Sequence, residues 1–159
     1  MSRLPSLGPR GEGWVVLQVL LLISIAAAGW WSGPDWSGAL RVAGIVAGIL
    51  GIAGGLILGA RGVLDLGASL TPVPHPRDGA ELVEHGVYAL ARHPIYGGII
   101  LAAFGWALLR GSAAALIVAA GLVVFFTLKS AREELWLRQR FAGYAAYRTR
   151  TRRFIPWIG

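Results

Sequence analysis

The strongest constraint in this sequence is a run of 22 residues, Ala39 to Ala60, whose single charge, Arg41, stands near its edge. As a helix it reaches about 33 Å at 1.5 Å per residue, enough to cross the hydrocarbon core of a bilayer. Arg41 can snorkel to the interface. A second run, Trp14 to Trp31, carries no charge and ends on Gly29-Trp30-Trp31. Tryptophans in that place anchor a helix at headgroup depth, and a secretory signal would be shorter and followed by a small-residue cleavage site. A retained span is expected. Two shorter apolar runs, Ile95 to Leu109 and Ala113 to Leu128, are broken by Arg110-Gly111-Ser112 and read as a tilted helical hairpin.

The expected fold is therefore all-α, a single polytopic membrane domain over 1–159. About four transmembrane helices are placed at 14–31, 39–60, 94–109 and 113–128, the last two forming the hairpin. A polar connector, 61–93, joins the pairs, and its prolines Pro72, Pro74 and Pro76 require an extended path. The C-terminal segment, 129–159, is expected to open with the fourth helix continuing out of the membrane. Composition agrees: 55% of residues are hydrophobic and 14% charged, against about 25% charged in soluble domains.

Charge supplies the topology. Of the 15 Lys and Arg, all but Arg41 and Arg110 lie in the N-terminal tail, the connector or the C-terminal segment. The positive-inside rule puts these, and both termini, in the cytoplasm of a multi-pass protein. The net charge of +7 then meets anionic lipid rather than nucleic acid, because the basic tail adjoins the membrane and forms no separate module. The chain has no cysteine, hence no disulfide, no thiolate nucleophile and no Cys-ligated metal; no metal site is expected. Gly44, Gly48, Gly51, Gly55 and Gly59 form a small-residue stripe on the second span. It suits packing against helices of the same chain, and is also the face on which a second copy could form a homo-oligomer.

Two groups of residues carry candidate chemistry. The first is Glu84-His85-Gly86-Val87-Tyr88 followed by Arg92-His93-Pro94-Ile95-Tyr96-Gly97-Gly98. Pro94 suits a first helical position, and the free N–H groups there could hold a flat ligand close to the main chain. The plain alternative is an interfacial helix start with Arg92 and His93 among headgroups. The second group is Lys129, Glu133, Glu134, Phe141, Tyr144, Tyr147, Arg150 and Arg153-Phe154-Ile155-Pro156. Glu133 and Glu134 lie about 100° apart on a helix, so they face different ways. They are either members of exposed i,i+4 ion pairs with Lys129 and Arg138 or, for one of them, a carboxylate turned inward to a ligand.

Together the motifs resemble the isoprenylcysteine carboxyl methyltransferase family and its bacterial relatives, which are similar to the phospholipid methyltransferases. That family reads G-x-Y, R-H-P-x-Y-x-G, a helical hairpin, E-E, F-G, Y-x-x-Y and an arginine-to-proline ending. Here these are Gly86 and Tyr88, Arg92 to Gly98, Glu133-Glu134, Phe141, Tyr144 and Tyr147, and Arg150 to Pro156. The likeness covers roughly Glu81 to Pro156. It departs at Phe141-Ala142-Gly143, at Lys129 where arginine is familiar, and in the number of spans.

The resemblance implies S-adenosyl-L-methionine as cofactor, held by Ala80, Glu81, Leu82, Val83, Tyr88, His93, Pro94, Ile95, Tyr96, Gly98, Glu133 and Glu134. It implies Glu133, His93 and Lys129 as the catalytic group, and Lys129, Tyr147, Arg150 and Arg153 on the substrate side. The implied reaction is methyl transfer to a lipophilic or prenyl-cysteine-like acceptor at the cytoplasmic face of a bacterial inner membrane, of the carboxyl O-methyltransferase type. A phospholipid N-methyltransferase is the alternative within the same chemistry. An NADPH-dependent membrane reductase, using Arg148, Arg150, Arg152 and Arg153 on a phosphate, and a non-catalytic membrane scaffold are the rivals outside it.

Overall fold

The computed structural model describes residues 5, 7–71, 73, 75 and 79–156. Five α-helices follow one another: α1 Glu12–Trp31, α2 Gly38–Leu66, α3 Pro94–Arg110, α4 Ala113–Arg140 and α5 Tyr144–Arg150. Short 3₁₀ turns occupy Gly67–Ser69 and Gly86–Ala89. No strand forms among the described residues, only an isolated parallel bridge between Ala91 and Arg152. Three helical segments, Glu12–Trp31, Gly38–Ser69 and Ala113–Arg140, are long and apolar enough to cross a membrane. The fourth expected span, α3, is apolar but has 17 residues, about 26 Å against a core of about 30 Å.

Burial is inverted relative to a water-soluble bundle. The buried positions of α2 are Gly44, Gly48, Gly55 and Gly62, while its Leu50 and Ile57 are 67% and 66% exposed. Large apolar side chains face outward, where lipid would meet them, and small ones face inward. The glycine stripe is filled from within the chain, by α3. A Cβ on Gly48 would stand 2.5 Å from the Leu109 nitrogen, and one on Gly55 2.5 Å from the Gly98 carbonyl oxygen. Gly98 and Gly105 return the contact from α3, with the Gly55 carbonyl and the Ile52 nitrogen at 2.5 and 2.6 Å from their would-be Cβ atoms. Gly44, Gly48, Gly51 and Gly55 of the stripe thus face α3, whereas a Cβ on Gly59 would meet nothing within 4 Å. On the other side α4 packs against α1, with Trp14 tilted against Phe125 at 5.7 Å and Leu122 and Phe126 wholly buried.

Local chemistry sets the ends. Pro94 opens α3 in the first turn, and Gly111, at φ 67, closes it. Ser112 caps α4 by accepting a hydrogen bond from the Ala115 N–H at 3.0 Å, and the Asp35 carboxylate accepts one from the Ala113 N–H at 2.8 Å. Arg41 donates to the Leu109 carbonyl at 2.6 Å, capping the C-terminus of α3.

The second helix runs six residues past its expected end at Ala60, to Leu66. Arg61 and Asp65 form an i,i+4 pair at 4.0 Å, and Asp65 accepts a hydrogen bond from the Val87 N–H at 2.8 Å, so these charges extend the helix instead of ending it. Gly67, at φ 51, then turns the chain. The extended path expected of Pro72, Pro74 and Pro76 lies outside the described residues.

Substituting Gly55→Val is expected to cost about 1–3 kcal/mol through overpacking and to lower the thermal midpoint in detergent. Gly59→Ala, whose Cβ meets nothing within 4 Å, is expected to leave it nearly unchanged.

Candidate active site

One end of the bundle collects the start of α1, the end of α2, the start of α3 and the polar extension of α4. The segment after α5 folds back onto it. Arg92 and His93 donate backbone hydrogen bonds to the carbonyls of Arg152 and Arg153, both at 2.8 Å, and the Arg152 N–H donates to Leu90 at 2.9 Å. A Cβ on Gly97 would collide with the Phe154 carbonyl, so only glycine lets the tail lie this close to α3.

Glu134 is the electrostatic centre of this end. Its side chain is 4% exposed and accepts from Arg92 Nε at 3.0 Å, with Arg148 Nε at 3.1 Å and Arg138 at 3.9 Å. Arg92 in turn donates to the carbonyls of Arg148, at 3.2 Å, and Thr151. A carboxylate so occupied joins α4, the α3 start, α5 and the tail, and it is not among the residues that line the cavity at this end.

Glu133 turns the other way, into a cavity of about 250 Å³. Its Oε2 accepts from the Tyr96 hydroxyl at 2.9 Å and lies 3.7 Å from His93 Nδ1. His93 stacks on Tyr96, with centroids 5.5 Å apart and planes at 4°, and Tyr96 stacks on Phe126 at 4.7 Å. Lys129, 2% exposed, donates to Gln18 Oε1 at 2.5 Å and sits 5.0 Å above the Tyr96 ring. The i,i+4 pair between Lys129 and Glu133 is therefore not the one that forms, while that between Glu134 and Arg138 is present at 3.9 Å.

The cavity wall brings together Ala80, Glu81, Leu82, Val83, Tyr88, His93, Ile95, Tyr96, Lys129, Glu133 and Tyr147 from the sequence reading. Pro94 and Gly98 do not line it: Pro94 is buried beside Gly62 and Gly98 packs on Gly55 and Gly59, so both seat α3 on α2. Arg150 is paired with Glu84 at the surface, and Arg153 lends its carbonyl to His93. Neither reaches the cavity.

Sequence reading missed Gln18, Val63, Leu66, Ser69, Leu70, Thr71, Ile99 and Leu137, all in the wall. Only Gln18 carried a signal, as the single amide in an otherwise apolar span.

Two polar atoms in the wall are buried without a hydrogen-bond partner, His93 Nε2 and the Tyr144 hydroxyl. His93 Nε2 lies 3.4 Å from Glu134 Oε1 and, against the cost of burial, this contact and that of Arg92 hold the Glu134 carboxyl low. Unpartnered buried polar atoms are costly, and the Tyr144 hydroxyl is one that the described residues leave without a hydrogen bond. The phenols around them stay protonated. Burial, then the Glu133 charge, pushes Tyr88 well up, and burial does the same to Tyr144 and Tyr147. Tyr147 donates to the Tyr88 carbonyl at 2.7 Å, pinning the connector over the cavity.

This division of roles gives an expected outcome. Glu134→Ala leaves Arg92 buried and unpaired and should cost about 3 kcal/mol or more, read as a lowered thermal midpoint. Glu133→Ala should change that midpoint little.

The family model described as phospholipid methyltransferase matches residues 43–143. Two rice proteins, each named probable protein-S-isoprenylcysteine O-methyltransferase, from Oryza sativa subsp. indica and subsp. japonica, are 36% identical over 101 residues. The alignment covers 60% of this chain and 52% of theirs, so the chain spans about half the length of the curated relatives it matches. With more than half of its length matched by the family model, from α2 through the start of the C-terminal segment, the chain belongs to the phospholipid methyltransferase family.

Proposed function

We propose that this protein transfers a methyl group from S-adenosylmethionine to a lipophilic acceptor at the cytoplasmic face of a membrane. The observation that carries the reading is the Glu133 carboxylate, held by Tyr96 on a cavity wall that also includes His93, Tyr88 and Lys129. These residues suit the cofactor. Glu133 can balance its positive charge, and Tyr88, Phe141 and Tyr144 offer aromatic walls to a purine. When bound, S-adenosylmethionine supplies a methyl carbon activated by a cationic sulfur.

Such a transfer is an in-line displacement that depends on proximity and alignment more than on proton transfer. The chain's part is to hold the two reactants together and keep water out. Tyr147 ties the connector down at Tyr88, the tail closes over the start of α3, and Leu66, Ile95, Ile99 and Leu137 give the cavity apolar walls for an acceptor arriving from the bilayer.

An isoprenylcysteine-type carboxylate is the acceptor favoured here. Lys129 is buried on an amide and a ring, with no carboxylate at ion-pair distance among the described residues. A buried cation without a counter-ion favours an anionic group and opposes an ammonium. A carboxylate is also ionised at neutral pH and needs no base, whereas a phospholipid amine must first lose a proton. The reductase is disfavoured, since none of Arg148, Arg150, Arg152 and Arg153 lines the cavity.

Calorimetric titration of the detergent-purified protein with S-adenosylhomocysteine tests the reading, with NADPH as control. Saturable binding of S-adenosylhomocysteine, weakened by about tenfold or more in Glu133→Ala, is expected. Binding of NADPH alone would move the assignment to the reductase. Silence from both ligands, in a folded sample, would leave the scaffold.

A further inference from the structure

On the far side of Arg92 from this cavity lies a second, open cleft of about 580 Å³. It is lined by Arg92, Arg138, Arg148, Arg152, Thr149 and Thr151. Its guanidiniums converge from the end of α4, from α5 and from the tail. The single carboxylate among them, Glu134, is shared by Arg92, Arg148 and Arg138. The Arg152 side chain is exposed and has no hydrogen-bond or ion-pair partner among the described residues.

Gathered cations raise one another's energy, and one buried carboxylate balances only one of them. The fork geometry of arginine matches phosphate oxygens, and Arg138 and Arg148, each with 43% of its side chain exposed, have donors to spare beyond Glu134. The depth is suitable as well. Arg138 follows Trp136 by two residues on the helix that leaves the apolar region, and tryptophan marks the headgroup layer in membrane helices. Basic pockets at that depth attract anionic headgroups.

We propose that this cleft is a phosphate site, held by Arg138, Arg148 and Arg152, and that the membrane fills it with the phosphodiester of an anionic phospholipid. It is separate from the cavity of Glu133, sharing only the Arg92 wall, and it would hold its lipid whether or not the cavity binds a methyl donor.

Native mass spectrometry of the full chain in neutral detergent tests the site, using short-chain phosphatidylglycerol and phosphatidylcholine as probes. Phosphatidylglycerol is expected to bind saturably and about tenfold or more tighter than phosphatidylcholine. Arg152→Gln should weaken it by about tenfold, and Arg138→Gln should do the same. Arg61→Gln, an exposed arginine of α2 outside the cleft, should not. Displacement by millimolar inorganic phosphate would mark the phosphate itself as the recognised group. Undisplaced lipid that is still sensitive to Arg152→Gln would mark the headgroup as the source. Equal affinity for the two lipids, or unchanged binding in both cleft variants, would overturn the proposal.

Discussion

Glu134 is a carboxylate placed where carboxylates are expensive, on the buried face of a long helix, and the functional end of the molecule is assembled around it. Arg92 meets it from the start of α3 and Arg148 from α5. Arg92 also takes up carbonyls of α5 and the tail. A buried pair of this kind adds little net stability compared with well-packed apolar residues, but losing one partner is severe. What it provides is position. The pair fixes the rotation of α4, and that rotation turns the neighbouring Glu133 into the cavity. It also brings the basic tail back to residues 90–93, beside the start of α3. The same guanidiniums, seen from the outside, form the phosphate cleft.

The second constraint is the apolar medium. With no water to drive helix burial, α2 and α3 associate by close approach, glycine against glycine. This leaves the bulky side chains outward and makes the α2–α3 pair the rigid wall on which Pro94 and Gly98 seat the motif. Residues that looked like cofactor contacts in a one-dimensional motif thus divide by function. Pro94, Gly97 and Gly98 provide fit between helices and tail, and His93 and Tyr96 face the cavity. The exposed apolar surfaces of α1 and α2 are those of helices long and apolar enough to sit in a membrane.

Much of this was legible in the amino-acid order. Apolar runs of sufficient length marked α1 and α2, Pro94 and Gly111 marked the ends of α3, and the uneven distribution of Lys and Arg singled out the end of the bundle where the cavity lies. Two adjacent acids on a helix had to face differently. Which of them faces inward was not legible, because the answer is Arg92, 42 residues away from Glu134. Gln18 stood out as the lone amide of its span, but its role was not legible for the same reason, since it meets Lys129 across 111 residues. The end of α2 was misplaced because Arg61 and Asp65 look like the start of a loop until they pair along a helix and bind the returning connector.

The central claim is that the cavity bounded by Glu133, and no other part of the chain, holds the methyl donor. Ultraviolet cross-linking of methyl-labelled S-adenosylmethionine to the purified protein, followed by peptide mapping, tests it most directly. The account expects label on the segments Tyr88 to Tyr96 or Phe141 to Tyr147, abolished by excess S-adenosylhomocysteine. Label confined to the Arg148 to Pro156 segment, or label that S-adenosylhomocysteine does not displace, would contradict it.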